Sequence, residues 1–181
     1  GGSVGGVEEQ LEQCGIGANA DERRKIAREW FDIGKDAFVR AMASAPEVLF
    51  VAAAGNENAD SSFAESIPAD IVLPNLITVG AVDKAGDEAP FTSYGKTVVV
   101  HANGYLVDSV IPGGERLAES GTSMSAPQVT NLAAKILAVN PALTPPQVIA
   151  IIRETAEKTD DGRRVLIHPR KAIAAAQAKQ G

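Results

Sequence analysis

The sequence predicts an α/β layer fold with a mainly parallel sheet. Continuous apolar runs, which are typical of strands buried on both faces, alternate with segments of helical periodicity. The clearest run is VLFVAAA at 48–54, which follows a long helical pattern and stops at the polar stretch GNENADSS. Helices and strands that alternate along the chain in this way are the usual arrangement of a parallel sheet.

The composition is that of a single folded unit, and we expect one domain over residues 1–181. Hydrophobic residues make up 45% of the chain, and no apolar run is long enough to span a membrane. The net charge of −6 disfavours nucleic acid and anionic membranes as partners. Cys14 is the only cysteine, so the sequence predicts no internal disulfide and no cysteine-based metal site.

The first long helix is predicted from Asp21, because apolar residues recur at spacings of three and four with charged residues between them. The predicted apolar stripe comprises Ile26, Trp30, Ile33, Ala37, Phe38, Ala41 and Met42. Pro46 ends this pattern just before the apolar run. The opening segment GGSVGGVEEQ is glycine-rich, and its composition fits either a linker or a functional backbone segment.

The later elements are marked by apolar runs, prolines and a capping box. Strands are predicted at 75–83, at 96–102 and, as a short pair with a Pro-Gly-Gly turn, at 104–114. Helices are predicted from Ser123 to about Val139, from the capping box at 144–147 onward, and from Pro169. A turn and a short strand, TDDGRRVLI, precede the last helix.

Ser123 stands at the start of an apolar helix, in the stretch GTSMSAP. A hydroxyl in that place lies beside backbone N–H groups that have no partner within the helix. A serine there commonly caps the helix, which is the simpler interpretation. The same N–H groups can stabilise an oxyanion on an attacked carbonyl, so a nucleophilic role is the alternative.

Asn56 follows the buried run, in the stretch VAAAGNEN. The small residues Ala53, Ala54 and Gly55 provide a floor on which a substrate side chain can rest. An asparagine amide is a good oxyanion donor, and removal of one such donor costs roughly 3–4 kcal/mol in the transition state. A strand-ending Gly-Asn turn without catalytic function is the alternative interpretation.

The two stretches together resemble a known family. GTSMSAP resembles the nucleophile motif of the subtilisin-like serine proteases (subtilases), and AAAGN resembles their oxyanion motif, in the same order. LITVGAVD, FTSYG, VVVHANG, NPALTPPQVIAIIRETA and RVLIHPRKAIAAA resemble the family's other segments, and the part from about Glu9 to Asp21 is the least similar. The resemblance implies a subtilisin-like three-layer fold, of which this chain is the C-terminal portion, with the N-terminal part of the catalytic domain absent.

The resemblance also implies a role for each matching residue. Ser123 is expected to attack the scissile carbonyl, while its N–H group and the Asn56 side chain hold the oxyanion and Thr122 braces that region. The expected substrate-binding residues are Ser3, Gly5 and Gly6 along the substrate main chain, and Ala53, Ala54 and Gly55 in the side-chain pocket. A polypeptide substrate, no cofactor and no metal are expected, together with an extracellular or periplasmic location.

The base that a serine nucleophile needs is missing from the sequence pattern. The family carries its histidine ahead of the oxyanion motif, but no histidine precedes His101 here. We therefore expect the catalytic Asp and His on an upstream part of the same domain, and an inactive isolated chain. Two further departures are Asn103, where the family usually has proline, and Gln128, where histidine is common.

Other interpretations remain open from the sequence. One is a non-catalytic subtilase-like module that binds peptides or a protein. Another is a hydrolase triad of Ser123, Asp160 and His168 in α/β-hydrolase order, although Ser125 stands where that class requires glycine. An incomplete sheet leaves an edge without a partner, so we also expect the chain to self-associate.

Overall fold

A computed structural model describes residues 2–61, 65–160 and 162–179. Its strands are β1 Gly2–Ser3, β2 Phe50–Ala53, β3 Ser66–Ile67, β4 Leu76–Val82, β5 Val98–Asn103, β6 Val107–Val110, β7 Arg116–Glu119, β8 Glu157–Lys158 and β9 Val165–Leu166. Its helices are α1 Val4–Gln13, α2 Ala20–Ala43, α3 Thr122–Val139, α4 Pro145–Thr155 and α5 Pro169–Ala178. Among the described residues, no helix has the length and apolarity needed to cross a membrane.

The main sheet has five strands in the order β2-β4-β5-β9-β8. The first four are parallel to their neighbours, and only β8 runs antiparallel, against β9. The mainly parallel sheet predicted from the apolar runs is confirmed. Two small antiparallel pairs lie outside it: β1 pairs with β3, and β6 pairs with β7.

Helices α3, α4 and α5 cover one face of the sheet. The fully buried residues of this core include Ile77, Val79, Val100, Val129, Leu132, Ile136, Val148, Ile151 and Ile152. Burying each such side chain contributes roughly 1.5–3 kcal/mol. The predicted capping box starts α4, where the Thr144 N–H donates to Gln147 Oε1 at 2.8 Å.

Helices α1 and α2 cover the opposite face around β2 and β3. Their core contains Val4, Leu11, Ala27, Phe31, Met42, Ala52, Ile67, Ile71 and Leu76. The predicted stripe on α2 is therefore wrong at most of its positions. Trp30, Ile33 and Phe38 are 52%, 67% and 41% exposed, and Ala37 and Ala41 are exposed as well, whereas Met42 is buried. The buried face is the adjacent one, because Ala27 and Phe31 pack in the cluster that also holds Leu11 of α1.

Asn75 joins α2 to the sheet. Its side-chain amide is buried and donates to the carbonyl oxygens of Met42, Ala45 and Val48 at 2.9, 3.0 and 3.2 Å. These carbonyls belong to the last turn of α2 and to the turn that leads into β2. One side chain thus satisfies the end of the helix and sets the entry of the strand that precedes Asn56.

Two elements differ from the sequence predictions. The segment 4–13 is helical although it contains two glycines, and Ser3 caps it by accepting the Gly6 N–H at 3.1 Å. The short strand pair predicted within 104–114 places only β6 there, and its partner β7 lies beyond the turn. Pro112, Gly113 and Gly114 lie between the two strands, where the turn was predicted.

Candidate active site

Ser123 lies in the first turn of α3 with its side chain exposed. The N-cap of that helix is Gly121, and no side chain makes a capping hydrogen bond there. The helix-cap role considered for Ser123 is therefore wrong, because the helix begins one residue before it. The hydroxyl group is left at the surface, beside the N–H groups of a helix N-terminus.

The Asn56 side chain is held against Thr122. Asn56 Oδ1 accepts the Thr122 N–H at 2.9 Å and the Thr122 hydroxyl at 3.0 Å. The Thr122 hydroxyl in turn accepts the Gly55 N–H at 3.1 Å. Because both Thr122 bonds reach the carbonyl oxygen of the Asn56 amide, its Nδ2 donor faces away from them. A Cβ at Gly121 would lie 3.4 Å from Asn56 Nδ2, so the amide donor lies beside the N-cap residue of α3.

The two motifs open into one cavity of about 640 Å³. Its walls include the predicted site residues Ser3, Gly6, Ala53, Gly55, Asn56, Thr122 and Ser123. Two predicted residues do not line it. Ala54 is 1% exposed and its N–H donates to the Val79 carbonyl at 2.9 Å, so it is buried against β4 directly after β2 ends. Gly5 lies on the exposed side of α1.

The segment Ser3–Gly6 is arranged differently from the expectation that it lies along a substrate main chain. Ser3 pairs with Ser66 in the small antiparallel sheet, and Gly5 and Gly6 lie in the first turn of α1. The Gly6 N–H is taken by the Ser3 hydroxyl at 3.1 Å. The Gly6 N–H caps α1 through this bond, so it is not directed at a substrate main chain.

Glu57 is a wall residue that sequence reasoning missed. It lines the same cavity directly after Asn56, and its Oε2 accepts the Ser93 hydroxyl at 3.3 Å. A Cβ at Gly55 would lie 2.5 Å from that carboxylate oxygen, and Gly55 has a φ of 105°, so only glycine fits there. The sequence feature that could have identified Glu57 is its position directly after Asn56 in GNEN.

Neither histidine lines the cavity of Ser123. His101 is 4% exposed within the sheet, where its Nδ1 accepts the Val165 N–H at 3.2 Å, and burial lowers its pKa. His168 caps α5 by accepting the Lys171 N–H at 3.2 Å.

Asp160 lines a separate cavity with Gly86, Asp87 and Arg164. The structure thus does not bring Ser123, Asp160 and His168 together in one cavity. Within the described residues, no group of three or more His, Cys, Asp or Glu side chains is arranged to hold a metal ion.

Comparisons with known proteins agree with these motifs. The sequence profile of the Subtilase family matches residues 14–172. Subtilisin from Bacillus pumilus is 38% identical over 109 residues, which are 60% of this chain and 39% of the subtilisin. A cold-adapted subtilisin-like serine proteinase superposes with a TM-score of 0.62 and 32% identity, over 68% of this chain and 45% of that chain.

A second solved structure, the prenylagaramide maturation protease PagA, shares the fold over 94% of this chain and 65% of its own, with a TM-score of 0.65 and 23% identity. The chain spans less than two thirds of the length of each of these relatives. The subtilisin-like α/β fold predicted from the motifs is confirmed. The family profile covers well over half of the sequence, and the chain belongs to the subtilase family.

Proposed function

We propose that residues 1–181 form the C-terminal portion of one catalytic domain of a serine endopeptidase. Ser123 Oγ attacks the scissile carbonyl of a polypeptide, and the oxyanion is held by Asn56 Nδ2 and the Ser123 N–H. The observation that supports this most directly is the pair of bonds from Thr122 to Asn56 Oδ1, at 2.9 and 3.0 Å. An amide donor oriented before substrate arrives stabilises the transition state without reorganisation.

The proton of Ser123 has to pass to a base, and in this proposal an upstream part of the same domain supplies the histidine and its aspartate. Two observations support this. The described walls of the cavity include no histidine, and the relatives are longer than this chain. The isolated chain is consequently inactive.

The cavity fits a polypeptide substrate. Ala53 and Gly55 leave room for a side chain, and the cavity extends from Ser123 along β2 to Val7 and Gln10 of α1. We place the enzyme in the extracellular or periplasmic space, because its bacterial relatives are subtilisins.

A non-catalytic peptide-binding module is the second candidate, and the lack of a histidine in the described cavity wall favours it. A chimera separates the two functions. The part of Bacillus pumilus subtilisin that precedes the matched region is joined ahead of Gly1, and cooperative unfolding confirms that the product folds. We expect hydrolysis of a chromogenic peptide that Ser123→Ala abolishes and Asn56→Ala lowers by roughly 10²–10³ in kcat.

A folded chimera that binds the peptide without cleaving it would establish the binding module and contradict the protease. Leu117→Ala, on the exposed hairpin strand β7, is the matched control and should retain the activity of the parent chimera.

The isolated chain is also proposed to self-associate. Strand β2 ends the main sheet, and among the described residues its second edge has no strand beside it. Trp30 and Ile33 on α2 also expose apolar surface. Light scattering should show a concentration-dependent increase in mass that the double change Trp30→Ser and Ile33→Ser reduces, whereas Val110→Ser on β6 has no effect. A monomer at every concentration would contradict this proposal.

A further inference from the structure

Three successive backbone carbonyls at the end of β5 each accept a hydrogen bond from the segment that carries Ser123. The Ala102 carbonyl accepts the Ser125 hydroxyl at 3.0 Å, and the Gly104 carbonyl accepts the Gly121 N–H at 2.8 Å. The Asn103 carbonyl between them accepts a hydrogen bond from Gln128 Nε2. Strand β5 ends at Asn103, and the segment that begins α3 provides donors for these three carbonyls.

The Gln128 amide makes two contacts at once. Besides the Asn103 carbonyl, its Nε2 donates to the Met124 carbonyl at 3.1 Å, which lies one turn earlier on α3. The side chain therefore couples the first turn of α3 directly to the end of β5. It is half-buried, so solvent does not readily replace these bonds.

Close approach of the two segments depends on Gly104 and Ser125. Ser125 is fully buried, and a Cβ at Gly104 would lie 2.3 Å from its hydroxyl oxygen and 2.7 Å from the Gly121 carbonyl oxygen. The Gly104 N–H donates to the Val82 carbonyl of β4 at 2.8 Å, which holds this glycine against the sheet. The junction is thus tightly packed as well as hydrogen-bonded.

Ser123 lies between two anchors. The residue before it, Thr122, is bonded to Asn56 in the loop after β2, and the residues after it are bonded to the end of β5. We propose that Ser125 and Gln128 are positioning residues, which set the place of Ser123 relative to Asn56 by bonding α3 to the carbonyls of Ala102 and Asn103. This inference rests on the proposed nucleophilic role of Ser123 and gives it a physical support.

The test replaces the hydroxyl by a thiol, whose ionisation reports its surroundings without any catalytic base. In the chain with Cys14→Ser and Ser123→Cys, iodoacetamide alkylation is followed against pH. A thiol at a helix N-terminus beside oriented N–H groups ionises below the ordinary value of about 8.5. Gln128→Met keeps the length of the side chain and removes both donated bonds.

We expect Gln128→Met to move the alkylation profile to higher pH and to lower the rate at pH 7 roughly threefold. Gln128→His, which restores an N–H donor of similar reach, should return the profile toward that of the parent. Ser125→Ala should shift the profile in the same direction, and it gives a second route if Gln128→Met does not fold. Gln13→Met is the matched control, because the hydrogen bond that the Gln13 amide makes within the described residues goes to Glu9 on α1, at 3.4 Å.

Profiles that superimpose for the parent, Gln128→Met and Ser125→Ala, in folded proteins, would overturn the inference and leave these residues a structural role. The alkylation profile tests the positioning of residue 123, whereas the chimera tests the protease function, so the two results can differ. An inactive chimera with a shifted thiol profile refutes the protease and retains the positioning of residue 123, whereas an active chimera with unshifted profiles does the reverse.

Discussion

The two faces of the main sheet are covered to different degrees. On the side of α3, α4 and α5, the core residues Ile136 and Ile151 are completely buried. On the side of α1 and α2, Trp30 and Ile33 remain 52% and 67% exposed. Both sides have a buried core, but α2 on the second side also leaves large apolar side chains exposed.

The sharpest test of this comparison uses the same substitution on each face. Ile136→Ala should lower the free energy of unfolding by about 2–5 kcal/mol, because it leaves a cavity in a closed core. Ile33→Ala should change the free energy by less than about 0.5 kcal/mol, since its side chain is mostly in water. Urea unfolding of the two variants measures the difference, and equal losses would mean that the two faces are equally covered.

A second effect is expected at Asn75, whose side-chain amide joins the end of α2 to the sheet. Asn75→Ala removes the donor from three carbonyl oxygens, and we expect a loss of about 1–3 kcal/mol in the free energy of unfolding. Asn131→Ala, at an exposed position of α3, is the control. If both variants unfold at the same urea concentration as the parent, α2 is held by other contacts.

A third effect, a loss of folding stability at acidic pH, is expected from His101 of β5. Burial lowers the pKa of His101 below its ordinary value of 6.5, and nearby Glu88 raises it by a smaller amount. The unfolded chain therefore takes up a proton before the folded chain does. The stability from neutral His101 is complete above about pH 6.5 and is lost as the pH falls below it.

The measurement is thermal unfolding of the parent and His101→Gln between about pH 7.5 and 5. The parent should lose stability with acid more steeply than His101→Gln. Identical slopes for the parent and His101→Gln would show that His101 does not cause the loss.

The smallest effect is expected at the ion pairs between α1 and α2. Arg24 Nε lies 3.0 Å from Glu8 Oε1, and the Arg24 side chain is 74% exposed. Arg24→Gln should cost no more than about 0.5 kcal/mol, because water screens the pair. Urea unfolding at low and high salt checks this, and a loss above about 1 kcal/mol would show that the helix pair depends on its charges.

The parts of the fold that could be predicted are those whose pattern is local. Strands β2, β4 and β5 are mainly apolar segments, and the capping box and prolines mark the starts of α4 and α5. Helix α1 was not predicted, since Gly5 and Gly6 weaken helical propensity, and its helical state is supported by packing of Leu11 against α2. On α2 two adjacent stripes are apolar, and periodicity does not say which one a neighbour covers.

The candidate site divides in the same way. The motifs around Asn56 and Ser123 were visible in the sequence, because each combines small residues with one reactive or donor side chain. The bonds of Ser125 and Gln128 to the end of β5 were not, since they join segments more than 20 residues apart in the chain. Burial of Ala54 and the capping role of Ser3 likewise follow from tertiary contacts.

The most direct measurement treats the chain as it stands with a fluorophosphonate probe and reads the intact mass and the labelled peptide. The proposed function predicts no label, because it places the nucleophile Ser123 and the Asn56 donor on this chain and assigns the histidine that accepts the proton to an upstream part of the domain. A label on Ser123 in a sample free of any second chain would contradict this, since a base would then exist within these residues.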